Sequence, residues 1–183
     1  IDGESVPAGA IYEMTTSTDH VKQGNTSLKS NSNQVRIEVV FDPTDITGYE
    51  NGYLHMWVYV TDFSNINRGY IELTSSGTCD KEELGWLVPN YIKKDGWNEL
   101  YLPLEKATPA KDGVFNPKNC NFMRIYVLWD DGGNSPLIYF DDIRLVAKED
   151  YVEDDTPGTD PATPVDPTPQ EPETPVNIDP LML

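Results

Sequence analysis

Short runs of alternating apolar and polar residues dominate the first 148 residues of the chain. In each run every second residue is an aliphatic or aromatic side chain, which is the spacing of a β-strand with one buried face. Six runs have this pattern: residues 33–41, 53–61, 69–75, 97–104, 122–129 and 137–146. Segments rich in Gly, Pro, Asn and Asp separate the runs, as expected for turns. The pattern predicts an all-β fold, an antiparallel β-sandwich of the jelly-roll type.

Only one segment between the strands has any helical character. Residues 81–87, KEELGWL, are expected to form at most one short turn of helix. No apolar run approaches the roughly 20 residues that a membrane-spanning helix needs. The first residues, IDGESVPAG, do not read as a secretory leader, so we expect any signal peptide to precede this segment.

The polar side of the alternating runs carries more aromatic rings than a solvated sheet face normally does. A sugar ring presents C–H groups that stack on an aromatic plate and hydroxyls that bind planar charged groups. These side chains are therefore candidates for carbohydrate binding: Trp57, Tyr59, Tyr70, Glu72, Arg124 and Tyr126. The alternative is that loops cover this face and that the rings form a secondary core.

Three further tryptophans lie at the edges of runs. Trp86 follows the acidic segment DKEEL, and Trp129 precedes the loop DDGGNS, so both are predicted to be exposed plates that contact a glycan. Trp97 lies in a turn directly before a strand, and we expect it in the core.

Charge and composition divide the chain near residue 149. Residues 149–183 hold ten of the 31 acidic residues, none of the 13 basic residues and eight of the 15 prolines. Proline removes the N–H donor and like charges repel, so this segment is predicted to be a disordered, extended linker to other modules. Residues 1–148 retain 21 acids against 13 bases, a net charge of −8. This balance excludes nucleic acid and anionic membranes as partners and favours a neutral polymer or a cation.

The sequence contains no catalytic motif. Neither a nucleophile elbow, a zinc-protease helix nor a phosphate-binding loop is present, and His20 and His55 stand alone. The abundant carboxylates leave a glycosidase dyad open in principle, but we interpret them as solvating groups and expect a non-enzyme. Cys79 and Cys120 are compatible with one disulfide or with two free thiols.

Carboxylates in the last run suggest a calcium site. Adjacent strand residues point to opposite faces, so one of Asp141 and Asp142 can supply a ligand oxygen. Further oxygens are available from Asp2, Glu4 and Glu13 and from the carbonyls of residues 22–25. The alternative is a surface Asp next to a turn-capping Asp.

Several segments together resemble bacterial carbohydrate-binding modules with a jelly-roll or galactose-binding-like sandwich. The resemblance rests on QGNTSLKS (23–30), DGWNELYLPL (95–104) and IYFDDIRLV (138–146), and GYIELTSSGTCDKEELGW and FMRIYVLW resemble surface modules of gut clostridia and ruminococci. It implies an extracellular, non-catalytic glycan binder, with starch adherence as one context and plant cell walls as another. It also implies structural calcium, bound by Glu13, Gly24 and Asp141 or Asp142.

These observations favour one function and leave two others open. The favoured function is polysaccharide binding by a monomeric module that tethers a secreted or cell-surface protein to its substrate. A structural or protein-docking sandwich in a cell-surface assembly would need no exposed aromatic cluster. A glycosidase or lyase would release reducing sugar.

Overall fold

Ten antiparallel strands in a computed structural model form two five-stranded sheets. The structure describes residues 1–10, 14–30, 34–129 and 137–151. Sheet I has the strand order β1-β2-β10-β4-β7. Its strands are β1 (Met14–Ser17), β2 (Ser27–Ser30), β4 (Tyr53–Val60), β7 (Gly96–Pro103) and β10 (Ile138–Val146). Sheet II has the order β3-β9-β5-β6-β8. Its strands are β3 (Gln34–Thr44), β5 (Ile66–Thr74), β6 (Glu83–Leu87), β8 (Thr108–Pro109) and β9 (Cys120–Trp129).

The apolar members of the alternating runs pack between the two sheets. Leu54, Met56 and Val58 of β4 are buried on one side, and Ile37 of β3 and Ile125 of β9 are buried on the other, all in one cluster. Such a cluster from both inner faces is what holds a sandwich together, since each methylene removed from water contributes about 0.8 kcal/mol. The prediction of an all-β antiparallel sandwich is confirmed.

All six predicted runs are strands, with ends that differ by three residues or fewer. The expectation of a helical turn over residues 81–87 is wrong, because Glu83–Leu87 pairs with β5 as a strand of sheet II. A local reading of KEELGWL misses this pairing, which supplies backbone hydrogen bonds from a distant segment.

The helices of the described residues are short 3₁₀ turns: Thr47–Tyr49, Phe63–Asn65, Val88–Asn90, Leu104–Lys106, Pro117–Asn119 and Lys148–Asp150. Within that part of the chain, no helix is long and apolar enough to cross a membrane. The described chain ends at Tyr151, whose ring lies 4.5 Å from the ring of Tyr53 and 4.6 Å from that of Tyr101. The rest of the predicted linker lies outside the described residues, and its boundary at residue 149 stays a prediction.

Candidate functional site

The eight predicted carbohydrate-contacting residues fall in three different places. Four of them lie together on the outer face of sheet II: Tyr70, Glu72, Arg124 and Tyr126. Two of them, Trp57 and Tyr59, lie on the outer face of sheet I, on the opposite side of the sandwich. The last two, Trp86 and Trp129, are in the core. The predicted set is therefore not one site.

The outer face of sheet II, here called the tyrosine face, consists of Arg36, Glu38, Tyr70, Glu72, Arg124 and Tyr126. Its centre is the pair Tyr126 and Tyr70, which are directly opposed in the pairing of β9 with β5. Their ring centroids are 5.8 Å apart with an interplanar angle of 36°, and both side chains are half-buried. Gly69 lets the backbones of β5 and β9 approach closely beside this pair, because a Cβ there would collide with the Tyr126 carbonyl oxygen.

Two arginines flank the tyrosine pair, one on the neighbouring strand β3 and one on β5 itself. Arg36 of β3 is the register partner of Tyr126. Its side chain is 40% exposed and pairs with Glu38. Arg68 of β5 is exposed and hydrogen-bonds Tyr126. Burial is the main cause that raises the pKa of the Tyr126 hydroxyl, so it stays a neutral donor and acceptor. The tyrosine face and its flanking Arg68 together offer aromatic ring planes and guanidinium N–H donors.

Arg124 and Glu72 occupy the next row of the same face and bind each other. The Arg124 Nε contacts one oxygen of Glu72, and Nη2 donates to the other at 2.8 Å and to Asp80 at 3.1 Å. Only 11% of the Arg124 side chain and 4% of the Glu72 side chain are exposed. The Arg124 guanidinium also lies 5.0 Å from the Tyr126 ring centroid. The Arg124–Glu72 pair therefore packs against the Tyr126 ring, and the Nε and Nη2 groups of Arg124 already bond Glu72 and Asp80.

An acidic cluster adjoins this pair. Oxygens of Glu72, Asp80 and Glu83 lie within 4.8 Å of one another, and Arg124 is their shared cation. Burial raises the pKa of Glu72 and also that of Glu83, against the opposing effect of hydrogen bonds to each. The cluster thus holds more negative charge than Arg124 neutralises.

The outer face of sheet I, here called the tryptophan face, carries rings from three strands: Tyr53, His55, Trp57, Tyr59, Trp97, Tyr101 and Tyr139. Trp57 and Trp97 meet edge to face at 6.0 Å, and Tyr59 lies 5.4 Å from Trp97. These three rings are half-buried. His55, two residues from Trp57 on β4, is fully buried and contacts Glu99 at 3.0 Å and the Asp142 carbonyl oxygen at 3.1 Å.

The predictions for three tryptophans are corrected. Trp86 is 2% exposed and Trp129 is 5% exposed, so the expectation that they are exposed plates is wrong. Trp86 donates its Nε1–H to the Pro103 carbonyl oxygen at 2.9 Å and so connects the two sheets. Trp97 was expected in the core, but it is half-buried on the outer face beside Tyr59. The alternation of β7 and β9 already assigned Trp97 to the outer side and Trp129 to the inner side, and tertiary packing follows that alternation.

The residues predicted to bind calcium do not all lie in one place. Asp141 is 1% exposed, and its Oδ2 accepts hydrogen bonds from the backbone N–H groups of Lys22 (2.7 Å) and Gln23 (3.0 Å), beside Gly24. Glu4 accepts from the backbone of Asn25 and Thr26 in the same segment.

The other predicted calcium ligands do not share this location. Asp142 does not face this segment, because its carboxylate pairs with Arg144 at 3.0 Å and with His55 at 3.3 Å. Glu13 lies outside the described residues. Asp141 and Glu4 carry the carboxylate oxygens that calcium prefers, and Asp141 Oδ2 and Glu4 Oε1 each accept two backbone N–H groups of this segment. The calcium site stays a prediction.

The two cysteines are free thiols in the structure. Burial raises the pKa of Cys120 to about 11, and it also raises that of Cys79. Neither is a reactive thiolate near neutral pH.

Comparison with known proteins identifies the fold. No protein-family model matches the chain, and no curated protein matches it. Solved structures do match. A family 30 carbohydrate-binding module aligns with a TM-score of 0.59 and 16% identity, over 85% of each chain. A family 30 module of a cellulosomal cellulase of Clostridium thermocellum aligns with a TM-score of 0.57 and 15% identity, over 77% of this chain and 87% of that one.

A third structure, also a family 30 module, has a TM-score of 0.56 and 14% identity, over 76% of this chain and 88% of that one. At this level of identity the likeness concerns the β-sandwich itself. The chain therefore has the fold of carbohydrate-binding modules, as the resemblance in its sequence implied.

Proposed function

We propose that this chain is a non-catalytic polysaccharide-binding module and that the tyrosine face is its binding surface. The observation that carries the proposal is the half-buried pair Tyr126 and Tyr70, directly opposed on adjacent strands and flanked by Arg36 and Arg68. The two rings stack on the C–H faces of consecutive sugars. The hydroxyls accept hydrogen bonds from Arg68 and from the guanidinium N–H groups of Arg36 that do not contact Glu38. Arg124 and Glu72 position Tyr126 rather than touch the glycan.

The ligand class follows from charge and size. Arg36 and Arg124 at this face pair with Glu38 and Glu72, and the adjoining Asp80 and Glu83 add negative charge, which favours a neutral chain over an anionic one. Adjacent strands are about 4.8 Å apart, so four strands offer room for about three sugar units side by side. We propose a plant cell-wall glucan rather than starch as the ligand, because one similar structure is a module of a cellulosomal cellulase. The module acts outside the cell and tethers its neighbours to the polymer, where linked sites raise the effective concentration.

The test is affinity gel electrophoresis against a panel of cellulose derivatives, mixed-linkage glucan, xylan, mannan and starch. We expect retardation by a neutral glucan, weakened about fivefold by Tyr126→Ala or by Tyr70→Ala, since one aromatic contact contributes about 1 kcal/mol. Tyr91→Ala is the matched control, because Tyr91 is also half-buried but follows the 3₁₀ turn Val88–Asn90.

Other outcomes point elsewhere. Wild-type retardation that survives both face variants would overturn the site. Failure to bind any glycan would favour a structural or protein-docking sandwich. Release of reducing sugar from any polymer would contradict a non-catalytic module.

A further inference from the structure

The tryptophan face carries an arrangement that the proposed function does not use. Tyr59 lies between Trp97 of β7 and Tyr139 of β10 in the register of sheet I, and Trp57 lies one row further along β4. Tyr139 is buried, but Trp57, Tyr59 and Trp97 are half-buried and so partly accessible. Rings on three adjacent strands form a surface large enough for more than one sugar.

A segment between β1 and β2 lies across this surface. The Asp141 carboxylate anchors the segment by accepting the backbone N–H groups of Lys22 and Gln23. The His20 ring, whose backbone has a φ of 52°, stacks on Tyr59 at 3.6 Å with an angle of 16°. Because the backbone is anchored, the base of the Lys22 side chain is held beside the rings.

Two lysines place their ammonium groups over the rings of this face. The Nζ of Lys22 lies 4.1 Å from the Trp57 ring centroid and 5.4 Å from that of Trp97. The Nζ of Lys29 lies 5.7 Å from the Tyr139 centroid. Within the described residues, neither ammonium group forms an ion pair with a carboxylate.

Three carboxylates near this face have partners other than the two lysines. Asp141 accepts three backbone N–H groups, Asp142 pairs with Arg144, and Glu99 contacts His55 and Tyr101. The face therefore presents the ammonium groups of Lys22 and Lys29, which contact rings and, among the described residues, no carboxylate. At physiological salt, screening over about 8 Å weakens the repulsion between an anionic ligand at these ammonium groups and acidic residues farther away.

We infer that the tryptophan face is a second glycan site and that its ligand is an acidic polysaccharide built of uronic acid units. A uronate offers a pyranose C–H face for the indoles of Trp57 and Trp97 and a carboxylate for the ammonium of Lys22. The contact between Lys22 and the ring is worth only about 0.5–1 kcal/mol at an exposed site, so a carboxylate can draw the ammonium off the ring as the sugar takes its place. The inference does not rest on the proposed function of the tyrosine face.

The experiment compares polygalacturonate with the same polymer after chemical reduction of its carboxyl groups, which removes the charge and keeps the linkage. In affinity electrophoresis at low ionic strength, we expect the wild-type module to be retarded by polygalacturonate and not by the reduced polymer. Added salt should weaken the retardation, because exposed ion pairs are screened. Equal binding to both polymers, or no binding to polygalacturonate, would overturn the inference.

Variants locate the site. Lys22→Gln removes only an exposed charge, and we expect up to about fivefold weaker binding to polygalacturonate. Lys111→Gln, an exposed lysine between β8 and β9, and Tyr126→Ala on the tyrosine face should leave it unchanged. Trp57→Ala should also weaken binding about fivefold. If Trp57→Ala fails to fold, Lys22→Gln decides alone, and wild-type affinity in that variant contradicts this site.

Discussion

The tyrosine face and the tryptophan face arise from the same alternation of side chains along their strands, but they present different chemical groups. On the tyrosine face outward charged residues pair with each other: Arg124 binds Glu72 across the central strands, and Arg36 binds Glu38 along the edge strand β3. On the tryptophan face the outward positions are rings, and the cations come from the crossing segment and from β2, through Lys22 and Lys29. The comparison shows that residue type alone does not assign a ligand. What the charges already bind decides whether they are available.

The largest expected difference between the faces concerns their ion pairs. Arg124→Ala leaves Glu72 buried without its partner, and we expect a loss of about 3–5 kcal/mol in the free energy of unfolding. Arg144→Ala on the other face should cost about 0–1 kcal/mol, because the Arg144 side chain is 52% exposed. Urea unfolding at pH 7 measures both. Similar losses in the two variants would show that burial does not distinguish the pairs.

Calcium provides the next test, because a segment anchored by carboxylates crosses the tryptophan face. We predict that calcium binds through the lone pairs of Asp141 and Glu4 that the N–H groups of this segment leave free, and that it raises the thermal midpoint. The gain in unfolding free energy would be about 2.7 kcal/mol at a hundred times the dissociation constant. Glu4→Gln should reduce the calcium-dependent increment, whereas Asp142→Asn should retain it, since Asp142 faces Arg144. An unchanged midpoint of the wild-type module in calcium would contradict the prediction.

The smallest expected effect is a pH dependence from the acidic cluster beside the tyrosine face. Burial raises the pKa of Glu83 above its ordinary 4.5, so the folded state binds the proton more tightly than the unfolded state. This contribution to stability is present below about pH 4.5 and is lost as the pH rises through the folded pKa.

Unfolding measurements between pH 4 and pH 7 isolate that contribution. Glu83→Gln cannot lose a proton at this position, so the variant should gain stability relative to the wild type as the pH rises. Glu105→Gln serves as the control, because Glu105 is exposed and outside the cluster. If the difference in unfolding free energy between the wild type and Glu83→Gln is constant across this range, folding does not shift the pKa of Glu83.

Strand positions were predictable because each run repeats one simple physical requirement, that every second side chain leaves water. The central strands β4 and β9 are long enough to show it several times. The strands β1, β2, β6 and β8 have two to five residues, too few for the alternation to be distinguished from a loop. Their pairing comes from neighbouring strands, which is why residues 81–87 were misread.

The candidate residues were predictable by type and only partly by place. Alternation correctly set Tyr70, Tyr126 and Trp57 outside the core. It could not say that Tyr70 and Tyr126 share one sheet while Trp57 lies on the other, because sheet membership depends on which distant strands pair. The expectation that Trp129 is exposed followed its nearness to a loop, whereas the alternation of its run places it inside, and the buried indole agrees with the alternation. Trp86 was misplaced because β6 was not predicted as a strand.

By itself the sequence determined the class of fold, the period-two division of side chains into inner and outer, and the acidic, proline-rich composition after residue 149. Those properties depend on local spacing and composition. Only the tertiary structure decided which outer residues are in contact. It pairs Arg124 with Glu72 and places Lys22 over the Trp57 ring. Each of those contacts joins residues more than 30 positions apart, and such contacts exist only once the sheets have paired.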